Sequence, residues 1–253
     1  MPKKIDRTGS LFGEQELMTP QLNTESAREI VGLVLAEGYV KMKDSKKREM
    51  RLLNKHLLPK NTPREGQFQL PKVEPYVADI IPEVFVPYSA KVCYDSATKG
   101  VYCNINDYNF NSTWTRPIQA LRKVMHYRVA VAPDNTLWVD GLVCENVEQL
   151  RRNRTIQRLW QNNGVATIQV ASWGDAESIE TYAYDGLAED SWTAIGHQRI
   201  GNRSEQRLFR YGVSTLVKKK RPRGLLVFGA PLGFDPGVRV IVKPSFISKL
   251  RNL

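Results

Sequence analysis

The chain has 253 residues, 42% of them hydrophobic, which is enough to bury one substantial core and is not the composition of a disordered protein. Lysine and arginine outnumber aspartate and glutamate by 37 to 26, giving a formal net charge of +11. This excess favours a polyanionic partner, with nucleic acid as the first candidate, over an ordinary soluble enzyme that is merely basic.

Several classes of protein are disfavoured by what the sequence lacks. Its apolar runs are shorter than the roughly 18 residues that span a bilayer, and Met1-Pro-Lys-Lys has no apolar segment of a secretion signal. We therefore expect a cytoplasmic protein that does not contact a membrane. There is no Walker loop, dinucleotide fingerprint, HExxH motif or serine nucleophile elbow, and we expect neither a cofactor nor a metal ion. Cys93, Cys103 and Cys144 have no CxxC spacing, and we interpret them as small buried side chains.

The amino-terminal part is the most basic. An apolar pattern at helical spacing is followed by residues 41–60, which hold eight basic side chains against two acidic ones, with Lys46, Lys47 and Arg48 at the centre. On a helix, these side chains form either a basic face for phosphates or a merely solvated surface. We therefore predict a basic helical extension over residues 1–58.

Repeated prolines predict a linker over residues 59–90, packed on the main domain, with one short edge strand near Tyr76–Ile81. Residues 91–253 then alternate between strand and helix patterns. The predicted strands are 101–107, 128–134, a run ending in 172–175, 192–198 and 225–230, and the predicted helices are 116–127, 145–161 and 204–220. This alternation predicts an α/β fold with a mainly parallel sheet flanked by helices, without distinguishing an open sheet from a partial barrel.

Carboxylates follow several predicted strands. Asp107, Asp134 and Asp175 each lie at or just after a strand end, and Asp140 follows on the loop after the second. Because ligands bind beyond the carboxyl ends of parallel strands, these four residues are candidate catalytic groups. A carboxylate there can activate water and stabilise an oxocarbenium-like sugar, whereas the alternative for each is a helix cap or turn residue.

Aromatic and polar residues near the same strand ends are candidates for a base pocket. Trp173 and Tyr108 offer flat faces on which an extruded base can stack, although Trp173 can equally fill the core beneath its loop. His197, at a strand end, can donate to a base carbonyl or simply be part of the structure. Asn153 and Arg152, on the predicted helix 145–161, can reach the same pocket.

Two basic clusters follow in the main domain. Arg151, Arg154 and Arg158 share one face of the predicted helix and are candidates to clamp DNA phosphates, with a solvated helix surface as the alternative. The second cluster closes a helix, where the helix dipole also favours cations without any ligand. Its candidate contacts to the DNA backbone are Lys218, Lys219, Lys220 and Arg221.

An ordered set of motifs over about residues 90–230 resembles an uncharacterised α/β domain family of phages, plasmids and other mobile elements. The motifs are Asn106-Asp-Tyr-Asn-Phe110, Trp114 and Pro117, Ala132-Pro-Asp134, Arg152-Asn-Arg154, Trp160-Gln161, Ser172-Trp173, Asp175, Asp185-Gly186 and Phe228-Gly229. The chain departs from the family pattern at Asn135, where an aromatic is expected, and at His197-Gln198, where a small polar pair is expected. The resemblance implies a setting of mobile DNA and, more distantly, a relation to phage-defence DNA glycosylases.

These observations predict a metal-independent DNA glycosylase that flips out and excises a modified base, leaving an abasic site, in anti-phage defence. Asp134 is then the principal water-activating or charge-stabilising group, and Trp173 lies in the base pocket. One alternative is a Mg²⁺-dependent nuclease in which Asp107, Asp134 and Asp175 hold the ion. Another is a non-catalytic DNA-binding accessory protein of a mobile element.

Overall fold

Seven parallel strands form the framework of the protein in a computed structural model that describes residues 53–197 and 201–245. The chain divides into two compact units, residues 1–59 and 60–253. Of the first unit, only residues 53–59 are described. The predicted helical extension and its cluster Lys46, Lys47 and Arg48 therefore lie outside the described residues.

The elements of the second unit follow one another in the alternating order expected from the sequence. In chain order, the strands are β1 (Arg64–Glu65), β2 (Leu70–Pro71), β3 (Phe85–Pro87), β4 (Gly100–Tyr102), β5 (Val129–Val131), β6 (Thr167–Val170), β7 (Trp192–His197), β8 (Gly224–Gly229) and β9 (Arg239–Lys243). The helices are α1 (Ser112–Thr115), α2 (Pro117–Val124), α3 (Val143–Asn162), α4 (Ala176–Thr181) and α5 (Arg203–Lys220), with 3-10 turns at Ser96–Thr98 and Asp107–Asn109.

Strands β3 to β9 form one sheet in which the spatial order is the chain order, and every neighbouring pair is parallel. Between β5 and β6 the chain crosses over through α3, and between β7 and β8 through α5. Parallel neighbours require such crossovers because the chain must return to the same end of the sheet before each new strand. The predicted α/β fold with a parallel sheet is therefore confirmed.

The sheet curls toward a barrel. Phe228 on β8 stacks on Tyr102 of β4 with a ring distance of 4.6 Å, and it meets Phe85 of β3 edge-on at 5.5 Å. In a flat sheet, four strand spacings would separate β4 from β8 by roughly 19 Å. The Nζ atom of Lys243, on the edge strand β9, also donates to the main-chain oxygen of Glu83, which lies just before the other edge strand, β3. The sheet is therefore a partial barrel and not an open sheet, two possibilities that strand periodicity did not distinguish.

Alternation along each strand divides the core into an inner and an outer layer. On β8, Leu226 and Phe228 belong to an inner cluster to which all seven strands contribute, whereas Leu225 and Val227 face outward. The outward side chains pack against the apolar faces of α4 and α5. Both layers together bury the strands on two sides, as the nearly continuous apolar strand sequences require.

The proline-rich segment is part of this architecture. It supplies the hairpin β1–β2 and the edge strand β3, which lies at Phe85–Pro87 and not at the predicted Tyr76–Ile81. Tyr76 instead forms two hydrogen bonds at the start of β7. Its N–H donates to the hydroxyl of Ser191, and its carbonyl accepts the N–H of Trp192. The interpretation of the cysteines holds for Cys103 but is wrong for Cys93 and Cys144, which are exposed.

Candidate active site at the carboxyl ends of the strands

The carboxyl ends of parallel strands all lie at the same edge of a sheet. Here polar side chains lie at or just after the ends of four neighbouring strands. Asn104 lies after β4, Asp134 after β5, Ser172 after β6, and His197 ends β7. In parallel barrels this end is the one at which active sites are built, because loops from several strands converge there. We call this end of the barrel the mouth.

Asn104 and Asp134 are joined directly at the mouth. The Asn104 Nδ2 atom donates a 2.7 Å hydrogen bond to Oδ2 of Asp134. The same amide lies over Gly196 of β7, where a Cβ atom would stand only 2.5 Å from Nδ2. The absence of a side chain at position 196 is therefore what lets Asn104 reach the middle of the mouth and orient the carboxylate.

Burial raises the pKa of Asp134 to about 6, from an ordinary value of 3.8. The hydrogen bond from Asn104 opposes this rise, and so does the hydroxyl of Ser172, which stands near the carboxylate just outside good hydrogen-bonding geometry. The charge of Asp107 raises the same pKa further, and that of Arg154 lowers it. A carboxyl group with a pKa near neutrality exchanges protons readily at physiological pH, which suits a general base or acid.

The loop that carries Asp134 is fixed from two sides. Asp107 accepts hydrogen bonds from the Thr136 N–H (3.0 Å) and the Thr136 hydroxyl (2.9 Å), so both of its oxygens are engaged. Asn153, fully buried on α3, accepts the N–H of Asn135 at 3.0 Å through Oδ1. The structure thus places Asp107 and Asn153, expected as a catalytic and a base-pocket residue, on either side of Asp134 as groups that hold its loop.

Arg154 requires a correction. Its side chain has no solvent exposure, so it cannot contact a DNA phosphate as predicted. Its guanidinium instead donates to three main-chain oxygens, those of Val170 (3.0 Å), Ala183 (3.3 Å) and Asp185 (3.3 Å). Burial lowers the pKa of Arg154 to about 10, and the negative charge of Asp134 is the largest influence in the opposite direction. Arg154 therefore ties α3 to β6 and to the loop before β7, and adds positive charge beneath Asp134.

The other two candidate carboxylates lie elsewhere in the structure. Asp175 is the N-cap of α4, where its Oδ1 atom accepts the Ser178 N–H at 2.7 Å, which is the cap role weighed as its alternative. Asp140 is exposed on the loop before α3. Within residues 53–197 and 201–245, no three His, Cys, Asp or Glu side chains are grouped closely enough to hold a metal ion, so the three aspartates expected to share Mg²⁺ are not brought together.

The aromatic candidates differ in accessibility. Trp173 is partly buried against Gly212 of α5, Phe209 and Tyr184, so its ring helps to pack α5 under the mouth. Tyr108 is 77% exposed. His197 stacks on Phe209 with a ring distance of 4.5 Å, and its Nδ1 atom hydrogen bonds to the Ala230 carbonyl at 2.8 Å. These contacts hold His197 at the end of β7, and Nε2 has no hydrogen-bond partner among residues 53–197 and 201–245.

The predicted phosphate contacts on α3 are engaged with acidic and aromatic partners. Arg151, and Arg152, which was expected in the base pocket, both pair with Glu148 and lie over the ring of Trp114 at 4.9 and 5.2 Å. Arg158 pairs with Glu74. These arginines hold surface segments together in the free protein.

The second basic cluster lies at the opposite end of the barrel. It ends α5, whose 18 residues extend about 27 Å away from the mouth. Three of its members form ion pairs, Lys219 with Glu180, Lys220 with Glu65 and Arg221 with Glu189, while Lys218 is exposed. A ligand at Asp134 therefore does not meet this cluster unless it extends along the whole height of the barrel.

Asn104, Ser172 and Gly196 were not among the predicted site residues. Their position in the sequence could have identified Asn104 and Ser172. Each is a polar residue two positions beyond the last residue of its strand, and Asp134 lies three positions beyond the end of β5. Gly196 gave no such signal, because its importance comes from a side chain on another strand.

We expect Gly196→Ala to raise the pKa of Asp134 above its value of about 6. The new methyl group would displace the Asn104 amide, and the hydrogen bond that lowers this pKa would be lost. Carboxyl titration by NMR measures the shift without any assay of activity. Gly201→Ala is the matched control, since its nearest atom beyond its neighbours is 3.9 Å away. An unchanged titration in Gly196→Ala would show that Asn104 does not govern the carboxylate.

None of the helices in the described part of the chain is both long and apolar enough to cross a bilayer.

Comparison with known proteins gives a consistent family. A model described as a domain of unknown function, DUF4417, matches residues 62–240. No solved structure is significantly similar to the chain.

Two curated relatives are phage proteins, each named Gene 1 protein. The protein of Mycobacterium phage L5 is 26% identical over 166 residues, which are 64% of this chain and 71% of the relative. The protein of Mycobacterium phage D29 is 31% identical over 126 residues, which are 49% of this chain and 46% of the relative, so the chain spans less than half of that protein. The resemblance to an uncharacterised phage-associated family is confirmed. Since the family model matches well over half of the chain, the protein belongs to the family of the domain of unknown function DUF4417.

Proposed function

We propose that this protein is a DNA glycosylase, which hydrolyses the N-glycosidic bond of a modified base and leaves an abasic site. The observation that carries the proposal is the Asp134 carboxylate, with its pKa raised to about 6 and its Oδ2 atom held by Asn104 at the mouth of a parallel barrel. Above pH 6 this group is an anion in a partly buried place, where its charge acts strongly on a nearby cation.

The chemistry needs one such carboxylate. As the bond between C1′ and the base nitrogen breaks, its electron pair leaves with the base, which takes up a proton from solvent, and positive charge develops on the sugar. The Asp134 anion stabilises that charge and accepts a proton from the water whose oxygen bonds to C1′. Asn104 donates to Oδ2 and the Ser172 hydroxyl makes no hydrogen bond of good geometry, so we assign Oδ1 to the water.

Charge at the mouth supports DNA as the substrate. Lys91, Arg116, Arg203 and Arg207 are exposed on the loops and helix that follow β3, β4 and β7, and within the described residues none of them forms an ion pair. They are better placed than the second basic cluster to contact phosphates beside Asp134. Binding through phosphates should weaken steeply as salt concentration rises, because it releases counterions.

The phage relatives support a biological setting of mobile DNA. A glycosylase selective for modified bases would act on phage genomes that carry such bases, in the cytoplasm and as a form of phage defence. Excision requires that the base be extruded from the duplex into the mouth.

Incubation of the protein with modified phage DNA tests the proposal. We expect a released base and abasic sites that break on treatment with alkali, in the presence of EDTA. Strand breaks that EDTA prevents would instead support the Mg²⁺-dependent nuclease. DNA that is bound but recovered intact from every modified substrate would support the non-catalytic accessory protein, and either result would overturn the glycosylase.

A further inference from the structure

Three large apolar side chains are exposed on the loop that follows Asp134, which also carries the exposed Asp140. Trp138 is 58% exposed, Val139 66% and Leu142 65%. Single exposed apolar side chains are ordinary on protein surfaces, but a cluster of large ones on one loop indicates a contact with a partner. We call residues 138–142 the apolar loop.

The main chain of the apolar loop is fixed although its side chains are exposed. The buried Asn146 side chain accepts the Trp138 N–H through Oδ1 and donates to the Trp138 carbonyl through Nδ2, each at 2.8 Å. Gly174 lies so close that a Cβ atom there would be 2.8 Å from the same carbonyl oxygen. The exposed indole therefore sits on a preorganised backbone, and little ordering is needed when a partner binds.

The apolar loop lies beside the candidate active site. Trp138 is four residues from Asp134, so their Cα atoms are at most about 14 Å apart. Both follow β5 and lie at the mouth. A partner that contacts Trp138 therefore also covers the entrance to Asp134.

We infer that the apolar loop is a wedge that enters duplex DNA, with Trp138 filling the space left in the base stack when a nucleotide is extruded toward Asp134. The inference rests on the proposed function. Unstacking a base costs a few kcal/mol, and an inserted apolar side chain offsets part of that cost by covering the exposed faces of the neighbouring bases.

Charge argues for DNA as the occupant of this surface. Lys91, Arg116, Arg203 and Arg207, which form no ion pair with any described residue, follow β3, β4 and β7 at the same end of the strands as the apolar loop, and the chain carries a net charge of +11. An apolar insertion flanked by cations matches a duplex, whose stacked bases lie between two lines of phosphates.

Fluorescence of 2-aminopurine in a synthetic duplex tests the wedge without requiring excision. This base brightens when it is unstacked, and we expect the wild-type protein to brighten it severalfold. Trp138→Ala should reduce the increase by about fivefold or more, while its affinity for the same strand in single-stranded form stays within about twofold of wild type. Trp138→Phe should restore part of the increase. Ile80→Ala is the control, because Ile80 is 55% exposed on the segment that leads to the opposite end of the barrel.

The outcomes separate the wedge from the glycosylase. A full increase with Trp138→Ala, no increase with the wild type, or equal losses on duplex and single strand would overturn the wedge. A change in the oligomeric state of the free Trp138→Ala protein would also overturn it, since the loop would then bind a second protein chain. A Trp138-dependent increase without release of any base from modified DNA would support the wedge and reject the glycosylase.

Discussion

Replacement of Asp134 with asparagine should lower turnover by about 100-fold or more while the fold and DNA binding are retained. The amide has the shape of the carboxylate, and its oxygen can still accept the hydrogen bond from Asn104, but it neither takes a proton from water nor offsets positive charge on the sugar. Single-turnover rates of base release measure the loss. In the wild type, the rate should rise with pH as Asp134 ionises, with a midpoint near its pKa of about 6.

Stability provides a second readout of the same variant. The pKa of Asp134 is higher in the folded protein than the ordinary value of 3.8, so its protonated form favours folding below about pH 4 and that contribution is lost as the pH rises through about 6. Asparagine cannot ionise. The free energy of unfolding of Asp134→Asn should therefore increase relative to wild type between pH 4 and 7, by on the order of 2 kcal/mol. A constant difference across this range would contradict the raised pKa.

Asp140→Asn is the matched control for activity, being the same substitution on an exposed carboxylate of the same loop. At saturating DNA it should leave turnover nearly unchanged, because a saturating concentration separates catalysis from any effect of this residue of the apolar loop on DNA binding. If Asp140→Asn abolishes turnover and Asp134→Asn does not, the catalytic role belongs to the loop and not to the end of β5.

The largest loss of stability is expected from Arg154→Met. Methionine fills much of the same volume but leaves the buried carbonyls of Val170 and Ala183 and the partly buried carbonyl of Asp185 without this donor. We expect a loss of about 3–5 kcal/mol in the free energy of unfolding, measured by denaturant titration. The pKa of Asp134 should also rise, because the charge of Arg154 lowers it.

Arg151→Met, one turn earlier on α3, is the control for Arg154→Met. Arg151 is partly exposed and pairs with Glu148 at the surface, so its replacement should cost at most about 1 kcal/mol. Equal losses in the two variants would show that the main-chain contacts of Arg154 do not stabilise the barrel.

The sequence predicted the local elements better than the contacts between distant ones. Apolar runs and helical periodicity identified β5 to β8 and the helices α3 and α5, and the position of Asp134 after β5 made it a candidate, which remains a prediction. The curl of the sheet depends on Phe228 meeting Tyr102, more than a hundred residues apart, and no local pattern encodes that contact. The strand β9 was missed although Val240, Ile241 and Val242 form an apolar run, and it lies only half-buried at the sheet edge.

Arg154 shows why helical spacing misled the assignment of the basic residues. Positions 151, 154 and 158 fall on one side of a helix, which suggested a single solvent-facing surface. The buried side of α3 is itself polar, since it carries Asn153, Arg154 and Gln157 among its apolar residues. A helix that buries polar side chains hides its inward face from any analysis based on hydrophobic periodicity.

The linear strand order leaves the barrel wall with two ends, at β3 and β9. Lys243 bridges them through its hydrogen bond to the Glu83 carbonyl and its position over the Phe85 ring. The rest of the wall is held by hydrogen-bonded strand pairs. Side-chain bridges yield more easily than paired backbones, so this join is the compliant part of the wall. Asp134 and Ser172 follow the central strands β5 and β6, farthest from it. We therefore expect the barrel to widen for a bulky ligand at the join between its ends, while the carboxylate keeps its position.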